Sequence, residues 1–339
     1  MTRLAIAGAG WAGRVHTLAA SAVSGATVPL IATRSVGSAE VLASEIGARP
    51  VTADQLPGGA EAVVVATPPP DHAALAVRLL SAGTAVLIEK PLAATLAEAD
   101  AIVAAAEASG AAACYAENLL FAPALDVAVN RRVALGAIDH LEVRMAQPMP
   151  TWGHFAEPLT AGGVLFDLGV HALAVLLVLA RDDEPVALRA RLGSSRDDGA
   201  DDVGRVEVRF ASDLIASIDV SWNSDVIEWS AEASSPTGVV RVDFQPDVTV
   251  EVNGTSVPVP HVDSEIDARI FDLGYHAQLE GFCSVVARRG GRVCPAGFGR
   301  SMLEMVCAAY VSAGRDGDEV LLPYDGPRDV TPQQLWREP

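Results

Sequence analysis

Lys90 is the only lysine among the 24 basic residues of this chain; every other one is Arg. A guanidinium stays charged at any workable pH, whereas an amine can be desolvated and can pass a proton. A chain that otherwise uses Arg and keeps one Lys has a use for an amine at that place, unless the count reflects only an Arg-biased composition. Lys90 ends an apolar run in Glu89-Lys90-Pro91-Leu92. Further on, Asp167 and His171 stand four apart in Gly162-Gly163-Val164-Leu165-Phe166-Asp167-Leu168-Gly169-Val170-His171, so on a helix they share one face. Together the three offer acid–base chemistry: an imidazole can take a proton near neutral pH, an amine can hydrogen-bond a developing oxyanion, and a carboxylate can favour the imidazolium. Without the lone lysine and its Glu-Lys-Pro context, Asp167 reads rather as a local helix cap and His171 as a satisfied core histidine; with them, catalysis is the expectation.

A second set points to a nucleotide. Gly8-Ala9-Gly10-Trp11-Ala12-Gly13 follows the first apolar strand and opens a helix, the context in which G-x-G-x-x-G cradles a pyrophosphate on free N–H groups. The second strand ends in Thr33-Arg34-Ser35, where an acid would bind a ribose 2′-hydroxyl. Arg34 suits a 2′-phosphate, with Thr33 and Ser35 as hydroxyl donors, so NADP(H) is expected over NAD(H). The alternative is an Arg34 that stacks on adenine and accepts either cofactor. Thr67, Pro68 and His72, in Ala66-Thr67-Pro68-Pro69-Pro70-Asp71-His72, end the next buried strand. With Glu89 and Lys90 they lie at the carboxyl ends of strands, where ligands bind open α/β sheets. His72 is expected on the nicotinamide side, with a first-turn residue that binds nothing as its equal alternative.

These residues need a scaffold, and the chain predicts one. Strands over Arg3–Ala7, Thr27–Thr33, Ala62–Thr67, Ala85–Ile88 and Ala111–Ala116 alternate with helices near Trp11–Val23, Ala39–Ile46, Asp71–Ser81 and Leu96–Ala108. Such alternation implies a doubly wound parallel sheet. After about Gly136 the pattern changes to alternating or β-branched runs without helices between them: Ile138–Gln147, Ala187–Gly193, Gly204–Ala211, Ile215–Trp222, Glu228–Ser234 and Val239–Phe244. Asn253-Gly254 joins Val248–Val252 to Ser256–Val259 as a hairpin. Helices are expected at Val164–Ala180, Asp267–Arg289 and Gly299–Ala313. The class is therefore α/β: a nucleotide-binding domain over residues 1–120 and an α+β domain with an open, mostly antiparallel sheet over 121–339. The last helices are allowed to pack back on the first domain. The acidic stretch Arg196–Asp202 reads as a solvated loop.

Composition narrows the function classes. With 339 residues, half of them hydrophobic, the chain can bury two cores. A net charge of −19 disfavours nucleic acid and anionic membrane as partners. No apolar run reaches the roughly 20 residues of a spanning helix, and the glycine-broken N-terminus reads as a strand, not a signal peptide. Cys114, Cys283, Cys294 and Cys307 lack metal or disulfide spacing and read as buried small hydrophobes in a reducing cytoplasm, with no metal site.

GAGWAG, ATPPPDH, EKPL and GGVLFDLGVH, supported by AAYVSAGRDGDEVLLP over Ala308–Pro323, occur in the order of the Gfo/Idh/MocA oxidoreductases, which the chain resembles over nearly its whole length. The resemblance implies a Rossmann domain, a C-terminal open-faced sheet often used for dimerisation, and hydride transfer at a sugar or cyclitol carbon. Lys90 corresponds to the family's EKP lysine, and Asp167 and His171 to its D-x-x-x-H pair. There are departures. Glu117-Asn118-Leu119-Leu120-Phe121 lacks the Arg frequent in relatives, which leaves Asn118 as the polar candidate there. Ala174 stands where a second Asp is common. Thr151-Trp152-Gly153-His154-Phe155 replaces a W-R pattern. Trp152 then offers an apolar face to a sugar ring, or is packing core, and His154 a polar contact. Tyr275 and His276 are further candidates to reach the substrate. These changes suit a less anionic or less hydroxylated substrate than a sugar acid, such as a deoxy- or keto-sugar. The leading expectation is an NADP(H)-dependent dehydrogenase or ketoreductase. The alternatives are a cofactor-retaining lyase or glycosidase working by transient oxidation, and a non-catalytic nucleotide-binding regulator. An open sheet face exposing a large apolar patch would make a homodimer or homotetramer.

Overall fold

Val63–Val65, Val86–Ile88 and Ala5–Ala7 are buried on both faces, as continuous apolar strands of a parallel sheet must be. A computed structural model describes residues 1–56, 58–151, 162–195, 199–262 and 266–338. In chain order it begins β1 (Thr2–Ala7), α1 (Trp11–Ala22), β2 (Ala26–Thr33), α2 (Val36–Ile46), β3 (Arg49–Thr52), β4 (Ala62–Val65), α3 (Pro69–Ser81), β5 (Ala85–Glu89), α4 (Leu96–Ser109) and β6 (Ala113–Ala116). The six strands pair in parallel in the order β3-β2-β1-β4-β5-β6. Strand order reverses between β1 and β4, which makes the carboxyl ends of these two strands the switch point where ligands bind such sheets. This is the Rossmann topology expected from the alternation. β3 was not among the expected strands; it carries only four residues.

The chain continues with α5 (Pro123–Arg132), β7 (His140–Pro148), a π-helical turn (Leu165–Gly169), α6 (Val170–Ala180), β8 (Pro185–Gly193), β9 (Val203–Phe210), β10 (Ile215–Ser221), β11 (Asn223–Ser235), β12 (Gly238–Gln245), β13 (Thr249–Val252) and β14 (Thr255–Ser256). After α7 (Arg269–Asp272), α8 (Tyr275–Val286) and α9 (Ala296–Gly314) come β15 (Val320–Leu321) and α10 (Pro332–Arg337). The second sheet has nine strands in the order β14-β13-β12-β11-β7-β10-β9-β8-β15, antiparallel except where β10 meets β7. Asn253 and Gly254, both at positive φ, turn β13 into β14 as expected.

Two compact units result: Met1–Phe121 with Val262–Arg300, and Ala122–His261 with Ser301–Pro339. In the first, Ile270, Leu279, Phe282 and Cys283 of α7 and α8 join the core of Leu4, Ile6, Ala20 and Ile31. The single helix expected over Asp267–Arg289 is two, because Gly274 takes a left-handed φ of 83° between them. All four cysteines are buried thiols. No helix among the described residues is long and apolar enough to cross a membrane.

Two further expectations are corrected in the second unit. The outer face of its sheet is not an apolar patch. His140, Glu142, Arg144, Glu232, Arg241 and Asp243 line a cavity of about 550 Å³ there, and Arg241 pairs with Asp243 at 2.7 Å. Alternation buries Leu141, Val143 and Met145 of β7 and Val240, Val242 and Phe244 of β12 on the inner face, opposite those charged residues. Nor is the acidic stretch before β9 simply solvated. Residues 196–198 lie outside the description, but Asp201 and Asp202 are 0% and 1% exposed, because the protein supplies donors that replace water around them.

Candidate active site

The glycine loop after β1 can be read atom by atom. A Cβ on Gly8, whose φ is +119°, would stand 2.1 Å from the Ala66 carbonyl oxygen at the end of β4. On Gly13 it would stand 2.1 Å from the carbonyl oxygen of Gly8. Those two glycines let the turn and α1 close on the sheet. Gly10 differs: a Cβ there meets nothing within 4 Å. Its open side is the room a pyrophosphate takes, in front of α1, whose first turn carries no acid and whose N-cap has no side-chain bond. Trp11 and Ala12 begin the helix; the half-exposed Trp11 ring packs edge-on against Tyr275, 6.5 Å between centroids. The loop therefore fits a dinucleotide.

At the end of β2, the Thr33 hydroxyl donates to the carbonyl of Ser35, and Arg34 reaches the Asp71 carboxylate at 2.5 Å. The Arg34 side chain is 82% exposed and able to leave that partner. Pro68 caps α3, and Thr67 before it keeps a buried Oγ1 with no protein partner at the switch-point edge of the sheet.

His72 and Glu89, expected beside the cofactor, spend their polar atoms on the protein itself. The His72 ring is 0% exposed, with Nε2 2.7 Å from the Thr67 carbonyl and Nδ1 3.0 Å from that of Pro91. Burial lowers its pKa against those bonds and the charge of Glu89. A neutral ring carries one N–H and donates to only one of these two carbonyls; enclosed in the first turn of α3, it matches the alternative reading of this residue. Glu89 accepts from Nε2 of the buried His16 at 2.7 Å and from the Lys90 N–H at 3.0 Å. Each of its oxygens holds a protein donor, one of them the backbone N–H of Lys90. Burial pushes the Glu89 carboxyl up, but the His16 hydrogen bond and charge and those of Lys90 outweigh it and hold the group below its ordinary range. His16 was missed. Its only signal is periodicity: Gly13, His16, Thr17 and Ala20 form the buried face of α1.

Asn118 and His276 are also drawn elsewhere. Asn118 is buried and donates through Nδ2 to the Leu273 carbonyl at 2.7 Å. His276 reaches the carbonyl of Ala22 at 3.3 Å, at the far end of α1 from the glycine loop, and stacks on Phe271. Trp152 and His154 lie outside the described residues.

In the second unit, Asp167 sits within the π turn Leu165–Gly169 and His171 one residue into α6. A spacing of four closes nearly one turn in either helix type, so both remain on one face. They are 6% and 4% exposed. Single-turn π segments occur often at functional sites. A Cβ on Gly162 would lie 2.5 Å from the Phe166 ring, which explains the first glycine of the motif. The His171 ring lies 6.0 Å from that of Trp229 on β11, tilted by 31°. Trp229 was not singled out from the sequence, although its alternation with the buried Ala231 and Ala233 places it on the inner face. It is an aromatic surface beside His171.

Comparison with known proteins places the chain in a family. A family model described as "Oxidoreductase family, NAD-binding Rossmann fold" matches residues 2–116, and one described as "GFO/IDH/MocA C-terminal domain" matches residues 129–256. Inositol 2-dehydrogenase of Rhizobium meliloti is 26% identical over 305 residues, 87% of this chain and 91% of that protein. D-apiose dehydrogenase of Paraburkholderia graminis is 30% identical over 194 residues, 53% of this chain and 48% of that protein. The crystal structure of GenD2 from gentamicin A biosynthesis, in complex with NAD, superposes with a TM-score of 0.83 at 26% identity, covering 95% of this chain and 96% of that one. With both of its domain models matched in order and the cradle, EKP and D-x-x-x-H elements in place, the chain belongs to the Gfo/Idh/MocA oxidoreductase family.

Proposed function

We propose that this protein is a nicotinamide-dependent dehydrogenase that interconverts a secondary alcohol and a ketone on a sugar, keto-sugar or cyclitol. The observation that carries the proposal is the open side of Gly10 at the N-terminus of α1, in the unit whose β5 leads into the chain's only lysine. Relatives named for inositol and apiose support the substrate class. The glycine loop of residues 8–13 would hold a nicotinamide dinucleotide, which when bound would supply hydride chemistry at the carbinol carbon. The protein does the rest. His171 takes the hydroxyl proton in oxidation and gives it back in reduction. Lys90 hydrogen-bonds the same oxygen as negative charge develops on it. Asp167 orients a neighbouring hydroxyl, and Trp229 offers its ring to the apolar face of the substrate.

The cofactor reading is NADP(H) before NAD(H). It rests on the absence of an acid at Thr33-Arg34-Ser35 and on the exposed guanidinium of Arg34, which a 2′-phosphate must win from Asp71. The test is a panel of free sugars, nucleotide-sugars and inositols with NADP+ and NADPH, followed by nicotinamide absorbance. Stoichiometric turnover that disappears in both Lys90→Ala and His171→Ala is expected. Undiminished turnover in either variant overturns the assigned roles.

A further inference from the structure

We propose that Asp201 is a positioning residue for the turn that carries Asp167 and leads into His171, with Tyr310 and Gln333 as its clamps. The proposal rests on the reading that Asp167 and His171 act on substrate.

The helical segment starts at Val164, directly after a glycine pair that can offer no side-chain cap. Its leading N–H groups are satisfied by a residue 36 positions away. Asp201 Oδ2 accepts from the Leu165 N–H at 2.9 Å, and the Asp201 backbone carbonyl accepts from the Val164 N–H at 2.8 Å. One residue thus does for this helix start what an N-cap normally does from the adjacent position. Gly163 makes room for it, since a Cβ there would lie 1.9 Å from Asp201 Oδ1.

That second oxygen is also held. The Tyr310 hydroxyl donates to Oδ1 at 2.5 Å and Gln333 Nε2 at 2.6 Å. Gln333 Nε2 also lies 3.0 Å from the Gly162 carbonyl, so the same amide grips both the carboxylate and the turn. Trp336, one helical turn beyond Gln333, packs edge-on against the Tyr310 ring at 6.4 Å. The short helix α10 near the C-terminus is therefore part of the support.

This arrangement is expensive if stability is its only purpose. A carboxylate with 0% exposure loses its hydration, and an apolar residue of similar volume would avoid that cost. What an apolar residue cannot do is fix the direction of two backbone N–H groups. Asp167 follows Leu165 by two residues, so fixing Leu165 sets where Asp167 and then His171 emerge.

The experiment compares Asp201→Asn, Tyr310→Phe, Gln333→Ala and His171→Ala in the full-length protein. Hydrogen exchange of the 162–171 segment reports on the turn without any substrate. Fluorescence with NADPH reports on cofactor binding, and steady-state kinetics on the polyol found in the panel above separates kcat from KM. For Asp201→Asn, exchange in 162–171 is expected to rise about tenfold or more, and kcat to fall by roughly the same factor. NADPH affinity and exchange in α1 should stay unchanged. Tyr310→Phe and Gln333→Ala, each removing one hydrogen bond, should move the same readouts less. They keep the question open to decision if Asp201→Asn does not fold. Wild-type exchange and kcat in Tyr310→Phe and Gln333→Ala overturn the proposal while His171→Ala is inactive. An active His171→Ala overturns the underlying reading instead.

Discussion

Nε2 of His16, a ring with no exposure, lies 2.7 Å from Oε1 of Glu89, whose other oxygen accepts the backbone N–H of Lys90. The pair joins α1, which starts at the glycine loop, to the strand end that presents the lysine. Two parts of the cofactor side are thereby held in one register by a single carboxylate.

Glu89→Gln tests this. The folded carboxyl lies below its ordinary range, so the stability it contributes is present at neutral pH and lost as pH falls through its folded-state value. The variant should lose about 1–3 kcal/mol at neutral pH, a buried hydrogen-bonded partner being removed. The loss should shrink in acid, where the native residue is protonated too. Denaturant titrations at neutral and acid pH check it; an equal loss at both means that the charge is not used.

The glycine loop separates folding from binding. Gly10→Ala meets no protein atom, so stability should change by less than about 1 kcal/mol, while affinity for NADPH falls by about tenfold or more because the methyl occupies the phosphate's room. Gly8→Ala, with positive φ and a backbone oxygen 2.1 Å from its Cβ, should cost about 2 kcal/mol or more before any ligand is considered. Thermal melts with and without NADPH distinguish the two.

Arg34→Ala should reduce the ratio of NADPH to NADH affinity by about tenfold, through loss of a charge-assisted contact to the 2′-phosphate. NADH affinity should stay nearly constant. Equilibrium fluorescence titrations with both nucleotides read this directly, and an unchanged ratio removes the NADP(H) preference.

Asp201 makes a pH prediction of opposite sign to that of Glu89. Burial, opposed by its bonds from Tyr310, Leu165 and Gln333, pushes its carboxyl up to about 6. A folded-state value above the unfolded one means that its contribution is full in acid and is lost as pH rises through about 6. A gap of about two pKa units corresponds to roughly 3 kcal/mol. Asp201→Asn removes that falling component, so the variant's stability should rise more steeply between about pH 4 and 6 than the native protein's. Parallel stability–pH curves would contradict the assignment.

The first half of the fold was legible because its signals are local. Short apolar runs bounded by turn residues and alternating with helical stretches read as strands buried on both faces, and G-x-G-x-x-G between a strand and a helix stands in the context of a phosphate cradle. The alternation of β9, β10 and β12 likewise declared a one-sided sheet. Lys90 stood out by residue type, whereas Asp167 and His171 gained their expected role only beside it and the EKP and D-x-x-x-H motifs. What the sequence could not contain is which polar groups meet across long separations. His72 and Asn118 looked like ligand contacts, yet each spends its polar atoms on backbone carbonyls, Asn118 on one 155 residues away. Asp201 looked like one more solvated acid until Leu165, Tyr310 and Gln333 closed around it. Residue type and local period determine where a strand or a helix forms. Whether a buried polar atom is free for a ligand depends on donors and acceptors that only the folded chain brings within 3 Å, because hydrogen bonds are satisfied in space and not along the sequence.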